Sequence, residues 1–223
     1  MKAPGLILSV NKPLGWTSFD VVNKLRGALR YKSVGHAGTL DPAADGVLIV
    51  LCGEATARSG EFMDLPKRYR ARIRLGITTP SDDLEGVDSP AVPLDDWNEA
   101  RIAAALAEFV GNIEQVPPAV SAVKVAGRRS YKLARAGQAV DLAPRPVQVY
   151  EARVLGACNP DVDVVISCSR GTYIRSIARD LGARLEVGGT LAGLTRLAIG
   201  PYRIEQALPL SEILKRSFEF ASG

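Results

Sequence analysis

The sequence predicts an α+β fold, with a mixed, largely antiparallel central sheet flanked by helices. Two observations carry that reading. The apolar period switches between two and 3.6 along the chain, so strands and helices both occur. Their order lacks the steady strand–helix–strand alternation of a parallel α/β sheet. With 223 residues, 47% of them hydrophobic, there is material for a sizeable core.

The elements follow in order. Residues 6–10 read as a short buried strand, ended by the turn Asn11-Lys12-Pro13-Leu14-Gly15. Thr17 or Ser18 can cap a helix whose apolar positions are Val21, Val22, Leu25, Ala28 and Leu29. A glycine-rich segment, residues 35–46, is expected to be a shaped loop. The apolar run 47–52 after it reads as an inner strand, and a short helix follows around 54–64. In residues 67–76, Arg68, Arg70, Arg72 and Arg74 alternate with Tyr69, Ala71, Ile73 and Leu75, which predicts a strand with one basic and one largely apolar face. Residues 78–93 are polar and acidic, hence loop. Residues 95–110 form an amphipathic helix ending at Gly111. The stretch 114–125 holds Pro117-Pro118 and then a strand, and 127–137 is basic and partly helical. Two strands, 147–155 and 162–168, suggest a hairpin around residues 158–161. Thr172 can cap a helix with the buried stripe Ile174, Ile177, Ala178, Leu181 and Leu185, while Arg175 and Arg179 project together elsewhere. A last strand at 191–199 and a closing helix at 208–215 complete the chain.

Composition excludes several classes. Charged residues make up 23%, the net charge is +4 and the pI is about 9.0, a mildly basic balance that permits an anionic partner without demanding one. Three cysteines, Cys52, Cys158 and Cys168, are odd in number and widely spaced. They argue against a disulfide framework or a zinc site and for a reducing cytoplasm. No apolar run approaches the roughly 20 residues of a membrane span. No phosphate-binding loop, dinucleotide fingerprint or metal constellation stands out, so neither metal nor cofactor is expected. Without a heptad pattern or an extended apolar surface stripe, the expected state is a monomer.

The most informative segment is Gly35-His36-Ala37-Gly38-Thr39-Leu40-Asp41-Pro42-Ala43-Ala44-Asp45-Gly46. Its glycines and proline imply unusual backbone dihedrals. Asp41 there can be a nucleophile, a base or a hydrogen-bond acceptor; a plain glycine-rich turn is the other reading. His36, the single histidine, suits loop packing or a phosphate contact better than a metal. Asp45 is a possible second carboxylate or a turn residue. Three further segments set arginine beside an aromatic: Lys67-Arg68-Tyr69-Arg70, Gly127-Arg128-Arg129-Ser130-Tyr131-Lys132 and Arg170-Gly171-Thr172-Tyr173-Ile174-Arg175. Arginines contact phosphates while aromatic rings stack on unpaired bases. A solvated charged face is the alternative for each.

Together these segments resemble the TruB family of tRNA pseudouridine-55 synthases, over residues 6–199. The resemblance rests on Asn11-Lys12-Pro13-Leu14-Gly15-Trp16-Thr17-Ser18, the 35–46 loop, Lys67-Arg68-Tyr69-Arg70, Gln115-Val116-Pro117-Pro118, Ser121-Ala122-Val123-Lys124, the 127–135 segment, Gly171-Thr172-Tyr173-Ile174-Arg175 and Leu194-Thr195-Arg196-Leu197. It implies the pseudouridine synthase fold. It also implies a catalytic role for Asp41, stacking of Tyr69 on the target base and pairing of Arg175 with Asp41. Tyr173 and Leu194 would line the uracil pocket, and His36 would hold the flipped-out nucleotide. Lys12, Lys67, Arg68, Lys124 and Arg128 are expected among the RNA contacts, and the T-arm of tRNA is the expected partner. The sequence departs from the family pattern at Thr79-Pro80-Ser81 and at Val120. Family members commonly carry a C-terminal PUA domain, but only 24 residues follow Ile199. The expected organisation is therefore a catalytic domain over 1–205 and a short helical tail over 206–223, with no PUA domain.

The chemistry this implies detaches uracil from C1′ and rejoins it through C5, with no change of oxidation state. The carboxylate can add to C6, attack C1′ or remove a 2′ proton, and each route requires Asp41 ionised in a pocket that excludes water. The competing readings are a non-catalytic RNA-binding or tRNA-folding factor, which would not need Asp41, and an aspartate-dependent glycosidase, which would need a second carboxylate at a set separation.

Overall fold

The computed structural model describes residues 5–84, 92, 97–121, 124–125, 128–129 and 142–216, with the backbone alone at 124–125 and 128–129. In chain order the elements begin with β1 (Leu6–Lys12), α1 (Ser18–Leu29), β2 (Val34–Ala37) and β3 (Ala44–Cys52). A 3₁₀ turn (Gly53–Arg58), α2 (Ser59–Asp64) and β4 (Lys67–Leu75) follow. Next are α3 (Glu99–Ala107), β5 (Gly111–Gln115), β6 (Lys124–Val125), β7 (Arg128–Arg129), β8 (Arg145–Cys158) and β9 (Asp161–Cys168). The described chain closes with α4 (Ile174–Arg184), β10 (Gly189–Ile199), β11 (Tyr202–Arg203), β12 (Leu208–Pro209) and α5 (Leu210–Lys215). They divide into two compact units, Met1–Tyr69 with Leu194–Gly223, and Arg70–Gly193. None of the described helices is long and apolar enough to cross a membrane.

In the first unit β3 is the central strand. It pairs antiparallel with β1 (Leu6↔Cys52 through Lys12↔Gly46) and with β2 (His36↔Val50), and parallel with β10 (Leu194↔Ala44 through Arg196↔Gly46). β12 adds to β1 in parallel. The sheet is thus mixed, as expected. β3 is covered on both faces, which is why residues 47–52 read as an unbroken apolar run. Leu48, Val50 and Cys52 pack with Leu8, Val10, the Val21/Val22/Leu25/Leu29 stripe of α1 and Leu210 and Ile213 of α5. Val47, Ile49 and Leu51 pack on the other side with Ala55, Phe62 and Ile199. α1 starts where the sequence placed it. Thr17 is the N-cap, its hydroxyl accepting from Asp20 N while the Asp20 carboxylate accepts from Thr17 N, a complete capping box.

In the second unit the strands run β4-β9-β8-β5. β8 and β9 form the expected hairpin, longer than the pattern indicated, with a cis Asn159-Pro160 bond at its turn. β5 pairs antiparallel with β8, and α3 lies against β8 and α4. β4 alternates as read, with Tyr69, Ala71, Ile73 and Leu75 buried and Arg70 and Arg72 exposed.

Several expectations are corrected. Residues 35–37 and 44–46 of the glycine-rich segment are strand, leaving a loop of only 38–43. The helix expected over 95–110 is helical from Glu99 to Ala107 with Asn98 as its cap, and residues 93–96 lie outside the described part. Residues 111–115 form a strand that the sequence did not reveal, because their polar alternation buries only Gln115. Arg128–Arg129, expected in a partly helical stretch, pair as strand with Lys124–Val125. Residues 130–137 lie outside the described part. Residues 191–199 are not the last strand, and 208–209 is strand before the closing helix. Thr172 does not cap α4: its hydroxyl donates to Ser169 O, and the Tyr173 N–H is instead met by Gln115 Oε1 at 2.8 Å.

Candidate active site

Asp41 stands in the short loop between β2 and β3, and the rest of the first unit holds that loop from several directions. Ser18, the first residue of α1, accepts from Leu40 N (2.9 Å) and donates to Leu40 O (3.1 Å). Gly15 N donates to Pro42 O at 2.8 Å, and Ala44 N donates to Asp41 O at 3.1 Å. Arg196, 1% exposed, reaches from β10 and donates to Val47 O (2.7 Å), Gly38 O (3.0 Å) and Thr39 O (3.4 Å). Backbone on both sides of the carboxylate is therefore fixed by hydrogen bonds that cross from three other segments. Two glycines make this possible. Gly38 has φ +93° and Gly46 φ +100°. A Cβ on Gly46 would sit 2.3 Å from Arg196 O, so β3 and β10 approach only because there is none.

The electrostatics beneath the loop are unusual. Lys12, expected on the RNA surface, is 0% exposed. Its ammonium donates to Trp16 O (2.6 Å) and Pro13 O (3.0 Å), which pins the turn that Gly15 shares with the Asp41 loop. Burial pulls the Lys12 pKa down to about 8; Asp45 resists the fall, Arg196 adds to it, and the Asp41 charge resists it again. Lys12 is thus a buried cation that feels the charges of Asp45, Asp41 and Asp20, not the exposed lysine expected from the sequence. His36 sits on β2 with Nδ1 buried and, among the described residues, without a hydrogen-bond partner. Burial, then the nearby Arg196 charge, lowers its pKa, so the ring is neutral. One carboxylate oxygen of Asp45 is likewise buried without a partner among the described residues. Leu194, half-buried, pairs with Ala44 three residues beyond Asp41.

Tyr69 is buried on β4. Lys67, also expected to contact RNA, is buried, and its ammonium donates to Leu65 O (2.6 Å) and Met63 O. Arg68 is half-buried. Lys124 and Arg128 are placed as backbone in β6 and β7 only.

In the second unit Arg175 is buried rather than projecting. It donates to Ser81 O (3.0 Å), Asp83 Oδ2 (3.3 Å) and Val120 O (3.0 Å). Tyr173 precedes α4, and its backbone is bracketed by the Gln115 amide, which accepts from Tyr173 N and donates to Tyr173 O (3.1 Å). Arg70 and Arg72 are matched by Asp163, and Arg74 by Asp161. The basic face of β4 is therefore largely answered by β9, and its bond to Arg72 holds the Asp163 carboxyl below its ordinary value.

Arg196, Asp82 and Asp83 had no assigned site role in the sequence, and Ser18 was read only as a candidate helix cap. A signal existed for Arg196, which shares strand parity with the buried Ala198. The same count along β1 sets Lys12 with Leu8 and Val10, and along β4 sets Lys67 with Tyr69.

A family profile described as TruB family pseudouridylate synthase (N terminal domain) matches residues 26–174. The chain belongs to the TruB family. Among TruB-family relatives, tRNA pseudouridine synthase B of Thermobifida fusca (strain YX) is 49% identical over 219 residues, covering 95% of this chain and 74% of the relative. The protein of the same name from Bacteroides fragilis (strain YCH46) is 47% identical over 210 residues, covering 92% and 90%. Two solved structures share the fold. A chain of a Cbf5-Nop10-Gar1 complex superposes with a TM-score of 0.76 at 28% identity, and 96% of this chain spans 57% of that one. A chain of an H/ACA RNP bound to a substrate RNA containing 2'-deoxyuridine gives 0.72 at 26% identity, covering 97% and 54%. The TruB-family fold class expected from the sequence is thus met, and the family is one of isomerases.

Proposed function

We propose that this chain isomerises a uridine of tRNA to pseudouridine, at T-loop position 55, with Asp41 as the catalytic carboxylate. The observation that carries the reading is the Asp41 loop itself, which carries a half-buried acid, is held by Ser18, Gly15 and Arg196 and lies near the buried Lys12 cation, in a member of the TruB family. A preorganised carboxylate can serve any of the three routes, addition to C6, attack at C1′ or removal of a 2′ proton. Tyr69 is proposed to stack on the extruded base, Arg175 to pair with Asp41, and Tyr173 and Leu194 to line the uracil pocket. His36, its pKa lowered by burial, is proposed to hold the flipped-out nucleotide. Extruding a stacked base costs a few kcal/mol, and stacking on an aromatic ring returns about 1–3 kcal/mol. The proposed setting is the cytoplasm, and the proposed working form is a monomer.

The test is incubation with an unmodified tRNA transcript, followed by mapping of pseudouridine at single-nucleotide resolution. One product in the T loop is expected, and Asp41→Asn should abolish it while the protein still binds tRNA. Isomerisation by Asp41→Asn overturns the reading. A wild-type protein that binds tRNA without modifying it would instead be an RNA-folding factor.

A further inference from the structure

Arg175 does not meet its partners alone. Arg179 lies one turn further along α4, on the same face. It donates to Asp82 Oδ2 at 2.9 Å, where Arg175 takes the adjacent Asp83 at 3.3 Å. It also donates to Val116 O at 2.9 Å, where Arg175 takes Val120 O at 3.0 Å. Two consecutive carboxylates and two carbonyls four residues apart are thus answered in register by two arginines. Ser176 adds a third donor, to Val116 O at 2.8 Å. The register depends on Asp82, which holds φ +60°, the left-handed region that aspartate enters more readily than most residues. Thr79 ties the turn back on itself through Asp83 O at 2.7 Å. Asp82 is buried, so its charge is placed for Arg179 and not for solvent.

We propose that Arg179 and Asp82 are positioning residues that set the turn 79–83 and the segment 115–121 so that Arg175 holds its working orientation. The inference rests on the proposed role of Arg175 at the catalytic carboxylate. Arg179 touches no reacting atom in this scheme; it acts by fixing the groups that grip Arg175.

The experiment measures kcat and KM on unmodified tRNA for Arg179→Met, Asp82→Asn and Arg179→Lys, each also in an Arg175→Lys background, with thermal unfolding alongside. Arg179→Met and Asp82→Asn should each lower kcat about ten-fold with KM changed less than about two-fold. Arg179→Lys should recover part of the loss. In the Arg175→Lys background the further loss from Arg179→Met should shrink to less than about two-fold, because residues acting as a unit are not additive. An unchanged kcat, a loss matching only the fraction unfolded, or the same factor in both backgrounds overturns the proposal. Asp82→Asn, which keeps the side chain's shape, carries the test if Arg179→Met does not fold. An inactive Asp41→Asn beside a fully active Arg179→Met removes this inference alone; an active Asp41→Asn removes the functional reading beneath it.

Discussion

Lys12 shows how a single buried side chain couples charge to pH. Its ammonium is fully enclosed and its pKa falls from 10.5 to about 8, chiefly by desolvation. Below pH 8 the folded and unfolded chains both carry the proton, and the desolvation penalty is present in full. Between about 8 and 10.5 the unfolded chain binds more protons than the folded one, so unfolding free energy rises with pH. Urea unfolding of wild type and Lys12→Met at pH 7 and pH 10 should therefore show the difference shifting towards wild type at the higher pH. A pH-independent difference would mean the lysine titrates normally. Gly46 is a second residue-scale determinant. Gly46→Ala forces a methyl group into the Arg196 backbone at a positive φ. A loss of at least about 2 kcal/mol is expected, since small-to-large changes at a tight contact and left-handed strain add; urea midpoints measure it.

At the scale of elements, α1 and the Asp41 loop are one mechanical unit through Ser18. Ser18→Ala leaves Leu40 N and O, both buried partners of the hydroxyl, without it. Roughly 1–3 kcal/mol of stability should go, and kcat should fall more than the affinity for tRNA, as single-turnover and binding assays would show. Thr17→Ala, which removes only the cap, should cost about 1 kcal/mol with kcat nearly intact. β4 makes the opposite point. Arg70 and Arg72 share Asp163 at a largely exposed site, so Asp163→Asn should change stability by less than about 1 kcal/mol. If the basic face of β4 tracks phosphates, the same change frees two cations. Affinity for tRNA at low salt should then rise, with a steeper fall as salt is added. An unaltered salt slope would assign that face to structure alone.

Across the whole molecule, what could be read from the sequence was what repeats. The β3 run was legible because burial on both faces forces continuous apolar residues, and the start of α1 because Thr17 or Ser18 stands before an apolar stripe of helical period. β5, β11 and β12 were not, since a polar edge strand or a two-residue strand carries too few residues to establish a period. At the candidate site, the shaped glycine-rich loop that carries Asp41 was legible, whereas the contacts of Arg196, Asp82 and Asp83 were not. A buried charge is spelled like an exposed one: in a strand its parity hints at burial, but its distant partners are not written in the sequence. Lys12 and Lys67 are buried where exposed cations were expected, because their charge was weighed above their strand parity. The cysteines give a check on the whole fold. Cys52 and Cys168 are buried, with burial pushing the Cys52 thiol up to about 11, and Cys158 is exposed. An aromatic disulfide reagent should titrate one thiol rapidly in the native protein and all three in denaturant.

The bond between Arg196 and the carbonyl of Val47 joins positions 149 residues apart. During translation the acid of the Asp41 loop leaves the ribosome long before the guanidinium that braces it. A nascent chain ending short of β10 carries the Asp41 loop with its Ser18 and Gly15 bonds but without the Arg196 bonds. A chain truncated there is therefore expected to hold residues 38–43 less firmly, as hydrogen exchange would report. The order of the polypeptide thus delays the last bonds to this loop until β10 has been made.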